Sequence, residues 1–260
     1  MSTIAVFASI VNTDKPGSVA QLARALHSHC KGRWFEPIRV HPMMKYNVPF
    51  YPNTPDDTHC YQAALRSVLQ YFLPEKEYTW QELEEMTAKK EGLWTWPTQG
   101  LISLHKLGFE VKDIGLFDIE EFVKDGGEYL EKEYGKDVAN EQIKHSDIPQ
   151  EQELYREFLQ YNVDEKRLPS LEDIKKMVEE GYLVICNVNA KVLNGKNGYV
   201  GHFVVVTGFD DDSFYLHDPG LPPMEDRKVS FEAFVNAWEY PNEKARNAIG
   251  LKYRIGIESD

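Results

Sequence analysis

The order in which helical and strand-like patterns follow one another constrains the fold of this chain more than any other feature. Apolar residues recur at helical spacing in the first part of the chain, and strand-like apolar runs dominate after about residue 168. The predicted helices cover about 59–73, a segment after Thr79, about 98–107 and 170–180, and the predicted strands cover 182–188, 202–209, 213–217 and 249–255. Helices followed by strands are typical of an α+β fold rather than of alternating βαβ units. We therefore expect a helical N-terminal half packed on an antiparallel sheet from the C-terminal half.

Two segments differ in character from the rest of the chain. Residues 1–41 predict a short strand–helix–strand segment, for which the pattern indicates no role, and a proline-rich connector follows at 48–55. Residues 42–260 are then expected to form the main domain. Within it, residues 118–165 are rich in Glu, Lys, Tyr and Gln and are interrupted by glycines. This composition predicts an acidic, solvated helical insertion.

The charge balance narrows the range of partners. The 260 residues include 29 Lys and Arg against 42 Asp and Glu, a formal net charge of −13. So acidic a chain gains no general attraction to nucleic acid or to an anionic membrane, and no apolar run approaches the roughly 18 residues of a membrane helix. The cysteines Cys30, Cys60 and Cys186 have scattered spacings that predict free thiols and a cytoplasmic protein. Nothing in the sequence indicates an oligomeric state.

Three residues together suggest a type of catalysis. Cys60 falls in the first turn of a predicted helix, where unpaired backbone N–H groups favour a thiolate. His202 begins a strand that is apolar on both faces, and Asp218 ends the next strand. A lone cysteine or histidine is more often a buried core residue. A nucleophile, a base and an orienting carboxylate in the order Cys, His, Asp are, however, typical of activated-nucleophile catalysis.

The motifs around these residues resemble those of a known family. Residues 58–65 read THCYQAAL, residues 201–208 read GHFVVVTG, and Asp218-Pro219 follows on the next strand. They are similar to the bacteriocin-processing (double-glycine leader) peptidases and their stand-alone relatives, which form family thirty-nine of the cysteine peptidases. The resemblance covers about residues 45–240, and it implies a papain-like cysteine peptidase fold.

By matching position, the resemblance implies Cys60 as the nucleophile, His202 as the general base and Asp218 as the orienting acid. It implies a thiol hydrolase that cleaves a peptide or amide substrate through an acyl-thioester on Cys60. Two alternatives use the same fold: an acyltransferase, in which an amine or thiol replaces water, and a binding module without catalysis. None of the three requires a cofactor.

The sequence departs from the family pattern at two places. Tyr61 follows the cysteine where the family commonly has glycine. The family also places a glutamine before the cysteine to donate to the oxyanion, but no glutamine lies between Tyr46 and Cys60. Asn53 and the adjacent Thr54 are the nearest candidates for that role, which is worth about 2.7–4 kcal/mol for one donor.

Two further patterns point to structure rather than to a site. His27, His29 and Cys30 are close in sequence, but residues two apart on a helix do not share a face, so we expect no metal site there. The run Asp210-Asp211-Asp212 lacks the glycine and the distal glutamate of a calcium loop, and it predicts a hairpin turn.

Strand parity adds a geometric requirement to the proposed triad. For Asp218 to reach His202, Asp218 has to lie opposite Val204, which shares a face with His202. An even-length turn would place Asp218 on the other face. The sequence therefore predicts an odd-length turn, or an equivalent bulge, within 210–212.

Overall fold

The computed structural model describes residues 43–254. The expected strand–helix–strand segment over 1–41, with His27, His29 and Cys30, therefore lies outside the described residues.

The predicted elements are present in the described part of the chain, with ends that agree to within two residues. The helices are α1 (Cys60–Phe72), α2 (Trp80–Met86), α3 (Thr98–Lys106), α4 (Ile119–Asp125), α5 (Gly127–Tyr134), α6 (Lys136–His145), α7 (Ile148–Phe158), α8 (Leu171–Glu179), α9 (Ala190–Leu193) and α10 (Phe231–Trp238). The strands are β1 (Met44–Lys45), β2 (Phe109–Gly115), β3 (Asp164–Lys166), β4 (Leu183–Asn189), β5 (Gly201–Phe209), β6 (Ser213–Asp218), β7 (Met224–Ser230) and β8 (Asn247–Tyr253).

Side-chain hydrogen bonds cap the N-termini of two of these helices. At α2, the Thr79 hydroxyl accepts from the Glu82 N–H while the Glu82 carboxylate accepts from the Thr79 N–H. Ser170 and Asp173 form the same reciprocal pair at the start of α8. Such capping boxes satisfy N–H groups that a helix cannot pair internally, so the sequence marks both starts clearly.

The strands form a single sheet in the order β3-β2-β8-β4-β5-β6-β7, with β1 paired to β5. Neighbouring strands are antiparallel except β2 and β3, which are parallel. The α+β architecture expected from the sequence is confirmed. Two details differ from the expectation: β1 and β2 join the sheet from the N-terminal half of the chain, and the pair β2–β3 is parallel.

Two hydrophobic cores cover the two faces of the sheet. Leu183, Ile185, Phe203 and Val205 face the core that contains α1, and Val184, Cys186, Val204 and Val206 face the core that contains α8 and α10. Side chains alternate between faces along a strand, so a strand buried on both sides reads as a continuous apolar run. This accounts for the apolar sequences of β4 and β5 and places both strands at the centre of the sheet.

The segment 118–165 is helical, but it is not simply a solvated insertion. Helices α4–α7 bury apolar side chains in the same core as α1: Ile119, Phe122, Tyr129, Leu130, Ala139, Ile148, Tyr155 and Phe158. Glu151 on α7 is a charged residue that is buried as well. An amphipathic helix with a narrow apolar stripe has a polar average composition, which explains why the sequence alone suggested a solvated segment.

Candidate active site

The loop before α1 places Cys60 at the first position of that helix. The Asn53 side chain is buried and organises the loop, because its Oδ1 accepts from the N–H groups of Thr54 (2.9 Å) and His59 (2.8 Å). The Asn53 N–H donates to the carbonyl oxygen of Pro219 at 2.8 Å. The segment that presents the thiol is therefore hydrogen-bonded to the segment that follows Asp218.

His202 and Asp218 meet in the interior of the protein. His202 Nε2 lies 2.7 Å from Asp218 Oδ1, and the side chains are 6% and 4% exposed. The Gly220 N–H donates to the same oxygen at 3.0 Å, and Arg227 Nη1 donates to Asp218 Oδ2 at 2.7 Å. Both oxygens of the buried carboxylate are thus hydrogen-bonded.

The pairing of β5 with β6 explains how these two residues meet. Phe209 pairs with Phe214 next to the turn, but the register shifts by one residue between Val206 and Gly208, which leaves Thr207 as a bulge. Beyond the bulge, the shifted register aligns Asp218 with the face of β5 that carries His202.

The predicted location of this irregularity is wrong: the bulge lies at Thr207, not within 210–212. The turn itself is closed by Asp210, whose Oδ1 accepts from the N–H groups of Asp212 and Ser213. The carbonyl oxygen of Thr207 accepts from the Tyr46 N–H at 2.8 Å, so the chain next to β1 pairs with the bulged residue. That partner comes from far along the sequence, and parity within the hairpin could not locate it.

Hydrogen bonds and neighbouring charges shift the pKa values of His202 and Asp218 against the effect of burial. Burial alone would lower the pKa of His202, but hydrogen bonds to Asp218 and Cys60, and the charges of both, raise it well above its usual value. Burial alone would raise the pKa of Asp218, but the bonds from His202, Arg227 and the Gly220 N–H hold it well below its usual range. An ionised carboxylate only accepts, so His202 Nε2 carries a proton and Nδ1 is the ring nitrogen left for Cys60.

Cys60, His202 and Asp218 line one cavity of about 500 Å³. Part of its wall is aromatic: Trp94 stacks on His145 with ring centroids 4.8 Å apart, and Tyr199 stacks on Tyr240 at 6.1 Å. Gln142 Nε2 donates to the Tyr199 hydroxyl at 2.8 Å, so helix α6 is tied to the segment just before β5. The cleft beside the candidate triad is therefore bounded by the 118–165 segment on one side.

Tyr61 occupies the position where the family commonly has glycine, and it lines the cavity. Its ring packs against Phe203 with centroids 4.8 Å apart, and its hydroxyl donates to the Pro97 carbonyl at 3.1 Å. A Cβ added at Gly100 would lie 2.3 Å from the Tyr61 hydroxyl oxygen. The large residue at 61 is thus accommodated by a glycine on α3.

A second pair of carboxylates lines the same cavity. Asp113 on β2 pairs in register with Asp164 on β3, the parallel strand beside it. Burial, and then the charge of Asp164, raise the pKa of Asp113 to about 7. These positions are far apart in sequence, and no local pattern brings them together.

The two oxyanion candidates do not lie among the residues that line the cavity. Asn53 Nδ2 donates to Asp57 Oδ1 at 2.8 Å, and Thr54 Oγ1 lies 2.7 Å from His59 Nδ1. Both side chains therefore use their polar atoms within the loop that precedes α1. Asp57 and Thr58 line the cavity in their place.

Sequence reasoning missed Arg227. It lies on β7, whose sequence Met-Glu-Asp-Arg-Lys-Val-Ser is too charged to resemble the central strands. An arginine in such a segment is typical of a solvated surface, and only the position of β7 next to β6 places it beside a buried carboxylate.

Within residues 43–254, no group of three His, Cys, Asp or Glu side chains is arranged to hold a metal ion. No helix described over the same range has the length and apolar composition needed to cross a membrane.

Comparison with known proteins identifies relatives of part of the chain. Uncharacterized proteins of Mycobacterium tuberculosis and Mycobacterium bovis are each 32% identical to this chain over 76 residues, which is 25% of this chain and 33% of theirs. The chain thus matches about a third of the length of these relatives.

Two solved structures are similar to this chain at low sequence identity. One is the peptidase domain of Streptococcus ComA, a bi-functional ABC transporter involved in a quorum-sensing pathway, at 16% identity and a TM-score of 0.45, over 80% of this chain and 99% of that chain. The other is a double glycine motif protease from an AMS/PCAT transporter in complex with its leader peptide, at 15% identity and a TM-score of 0.43, over 81% and 95%.

A family model covers most of the described domain. The match runs over residues 45–245, which includes α1 and strands β2–β7 and therefore Cys60, His202 and Asp218. By this match, the chain belongs to the Peptidase_C39 like family.

Proposed function

We propose that this protein is a cysteine peptidase or amidase that cleaves a peptide or amide bond through an acyl-thioester on Cys60. The observation that carries the proposal is that His202, hydrogen-bonded to Asp218, lines the same cavity as the Cys60 thiol. Family membership supports the same class of reaction.

The geometry supports a path for the protons in this reaction. Because His202 Nε2 is bonded to Asp218, Nδ1 takes the thiol proton of Cys60. The sulfur then attacks the substrate carbonyl carbon, and the Nδ1 proton passes to the leaving amine. Water attacks the acyl-thioester, gives one proton to Nδ1 and releases the acid, which restores the Cys60 thiolate. Asp218 keeps the ring oriented throughout.

The start of α1 supplies donors for the oxyanion. The first N–H groups of a helix have no acceptor within the helix, and Cys60 is the first helical residue. We propose that the Cys60 N–H binds the developing oxyanion, and that Asn53 contributes by holding the loop, since its own side chain bonds within that loop. The reaction needs a reduced thiol, which is consistent with a reducing compartment such as the cytoplasm.

A thiol-directed probe tests the proposal with an internal control. At pH 6 we expect iodoacetamide to label Cys60 at least roughly 100-fold faster than Cys186, because the pKa of Cys186 is raised by burial while Cys60 lines the cavity. Mass spectrometry of peptides gives both rates. Equal labelling of the two, or unchanged total labelling in Cys60→Ala, would point to a binding module instead.

Product analysis separates hydrolysis from acyl transfer. A peptide library is incubated with the protein, with and without an added primary amine, and Cys60→Ala serves as the control. Free acids in both reactions support the hydrolase. Amides that form only when the amine is present would favour the acyltransferase alternative.

A further inference from the structure

Arg227 is tied to the candidate active site by both terminal nitrogens of its guanidinium group. Nη1 donates to Asp218 Oδ2 at 2.7 Å and to Asn194 Oδ1 at 3.1 Å, and Nη2 donates to the Leu193 carbonyl at 2.7 Å. The side chain is 17% exposed. Arg227 thus connects Asp218 to the end of α9, and its planar donor geometry fixes both contacts together.

The pairing of β6 with β7 determines this contact. Leu216 pairs with Arg227, but Asp218 pairs with Met224, because the register shifts between Leu216 and Asp218. Residues two apart on a strand share a face, so Arg227 is the diagonal neighbour of Asp218 across the strands. The contact is therefore built into the sheet and is not a chance encounter of flexible side chains.

Arg227 is the partner of the carboxylate oxygen that His202 does not use. Oδ1 already accepts from His202 Nε2 and from the Gly220 N–H, whereas Arg227 is the described donor to Oδ2. A carboxylate that is 4% exposed loses its hydration, and an unpaired oxygen there would favour protonation and rotation of the group. Either change would release the imidazole from its orientation.

Resting on the proposed function, we propose that Arg227 is a positioning residue that acts through Asp218: it keeps the carboxylate ionised and in plane with the His202 ring. The result is a connected path from the guanidinium through the carboxylate to the imidazole, whose free Nδ1 serves the Cys60 thiol.

The test compares Arg227→Met and Arg227→Lys with Lys228→Met as the matched control. Lys228 is the next residue on the same strand, is 52% exposed, and pairs with Asp210 at 2.9 Å, away from Asp218. The first readout is the rate of Cys60 alkylation at pH 6. The second is the NMR signal of the His202 Nε2 proton, which reports the hydrogen bond to Asp218 directly. Circular dichroism verifies that each variant is folded.

We expect Arg227→Met to slow Cys60 alkylation roughly 10–100-fold and to broaden or shift the His202 proton signal, with partial recovery in Arg227→Lys. Lys228→Met is expected to match the parent protein in both readouts. In an Asp218→Asn background, Arg227→Met is expected to cause no further loss, because its effect passes through the carboxylate. If Arg227→Met does not fold, Arg227→Lys and its combination with Asp218→Asn give the same comparison.

Two results would overturn the inference. One is an unchanged His202 signal and alkylation rate in a folded Arg227→Met variant. The other is that Arg227→Met slows Cys60 alkylation by the same factor in the Asp218→Asn background as in the parent protein. A failure of the proposed function looks different: Cys60 of the parent protein would label no faster than Cys186, and the His202 signal would still decide the role of Arg227.

Discussion

Two carboxylates that line the same cavity differ in their electrostatics: the pKa of one is lowered and that of the other is raised. Asp218, at the end of β6, has donors on both oxygens and a pKa held well below its usual range. Asp113, on β2, lies beside Asp164 instead of a cation, and its pKa is raised to about 7. Both residues lie on strands of one sheet and both line the cavity.

The difference teaches that burial alone does not determine the charge of a carboxylate. Burial raises the pKa in both cases, and at Asp218 the hydrogen bonds and cationic neighbours outweigh it. At Asp113 the neighbouring charge has the same sign and adds to the effect of burial. Single substitutions can remove the titrating carboxyl groups or the neighbouring charge one at a time.

Asp218→Ala should have the largest effect. It removes the anionic partner of Arg227 and the acceptor of the His202 ring, so we expect a loss of about 3 kcal/mol in the free energy of unfolding. We also expect roughly 100-fold slower alkylation of Cys60. Urea unfolding and mass spectrometry measure the two quantities. Asp218→Asn is the control, because it keeps an acceptor for His202 and should lose less in both.

Asp113→Asn should change the free energy of unfolding by less than Asp218→Ala, and it should stabilise the protein at pH 8. A carboxyl whose folded pKa is raised from 3.8 to about 7 contributes full stability below pH 4, and that stability falls as the pH rises to 7. The amide does not titrate, so we expect the variant to be more stable than the parent by about 1–3 kcal/mol at pH 8 and equal to it near pH 4. Thermal unfolding at both values checks this. A variant that is less stable at pH 8 would contradict the electrostatic account.

Asp164→Asn should have the smallest effect of the three substitutions, a modest fall in the pKa of Asp113. It removes the like charge but not the burial, which is the larger cause of the shift at Asp113. We therefore expect the pKa of Asp113 to fall by less than about one unit, measured by carbon NMR of the carboxyl group during a pH titration. A return of Asp113 to an ordinary pKa would show that the pair, and not burial, dominates.

The sequence located the candidate triad but not its surroundings. Cys60, His202 and Asp218 are found by short motifs because each motif includes its own helix start or strand end. Asp113 and Arg227 carry no such local signal, since both acquire their environment from strands that are remote in sequence. Asn53 was found as a polar residue near the thiol, but its hydrogen bonds within the loop depend on how residues 53–59 fold back.

The sequence by itself determined the helices and central strands, because periodicity, capping boxes and apolar runs are properties of consecutive residues. It also determined the order of the residues that form the candidate site. Only the tertiary structure decided the bulge at Thr207 and the neighbours of Asp113 and Asp218. The physical reason is that pairing between strands brings together residues that are far apart in the sequence. Hydrogen bonds and charges act between groups that are close in space, whatever their separation along the chain.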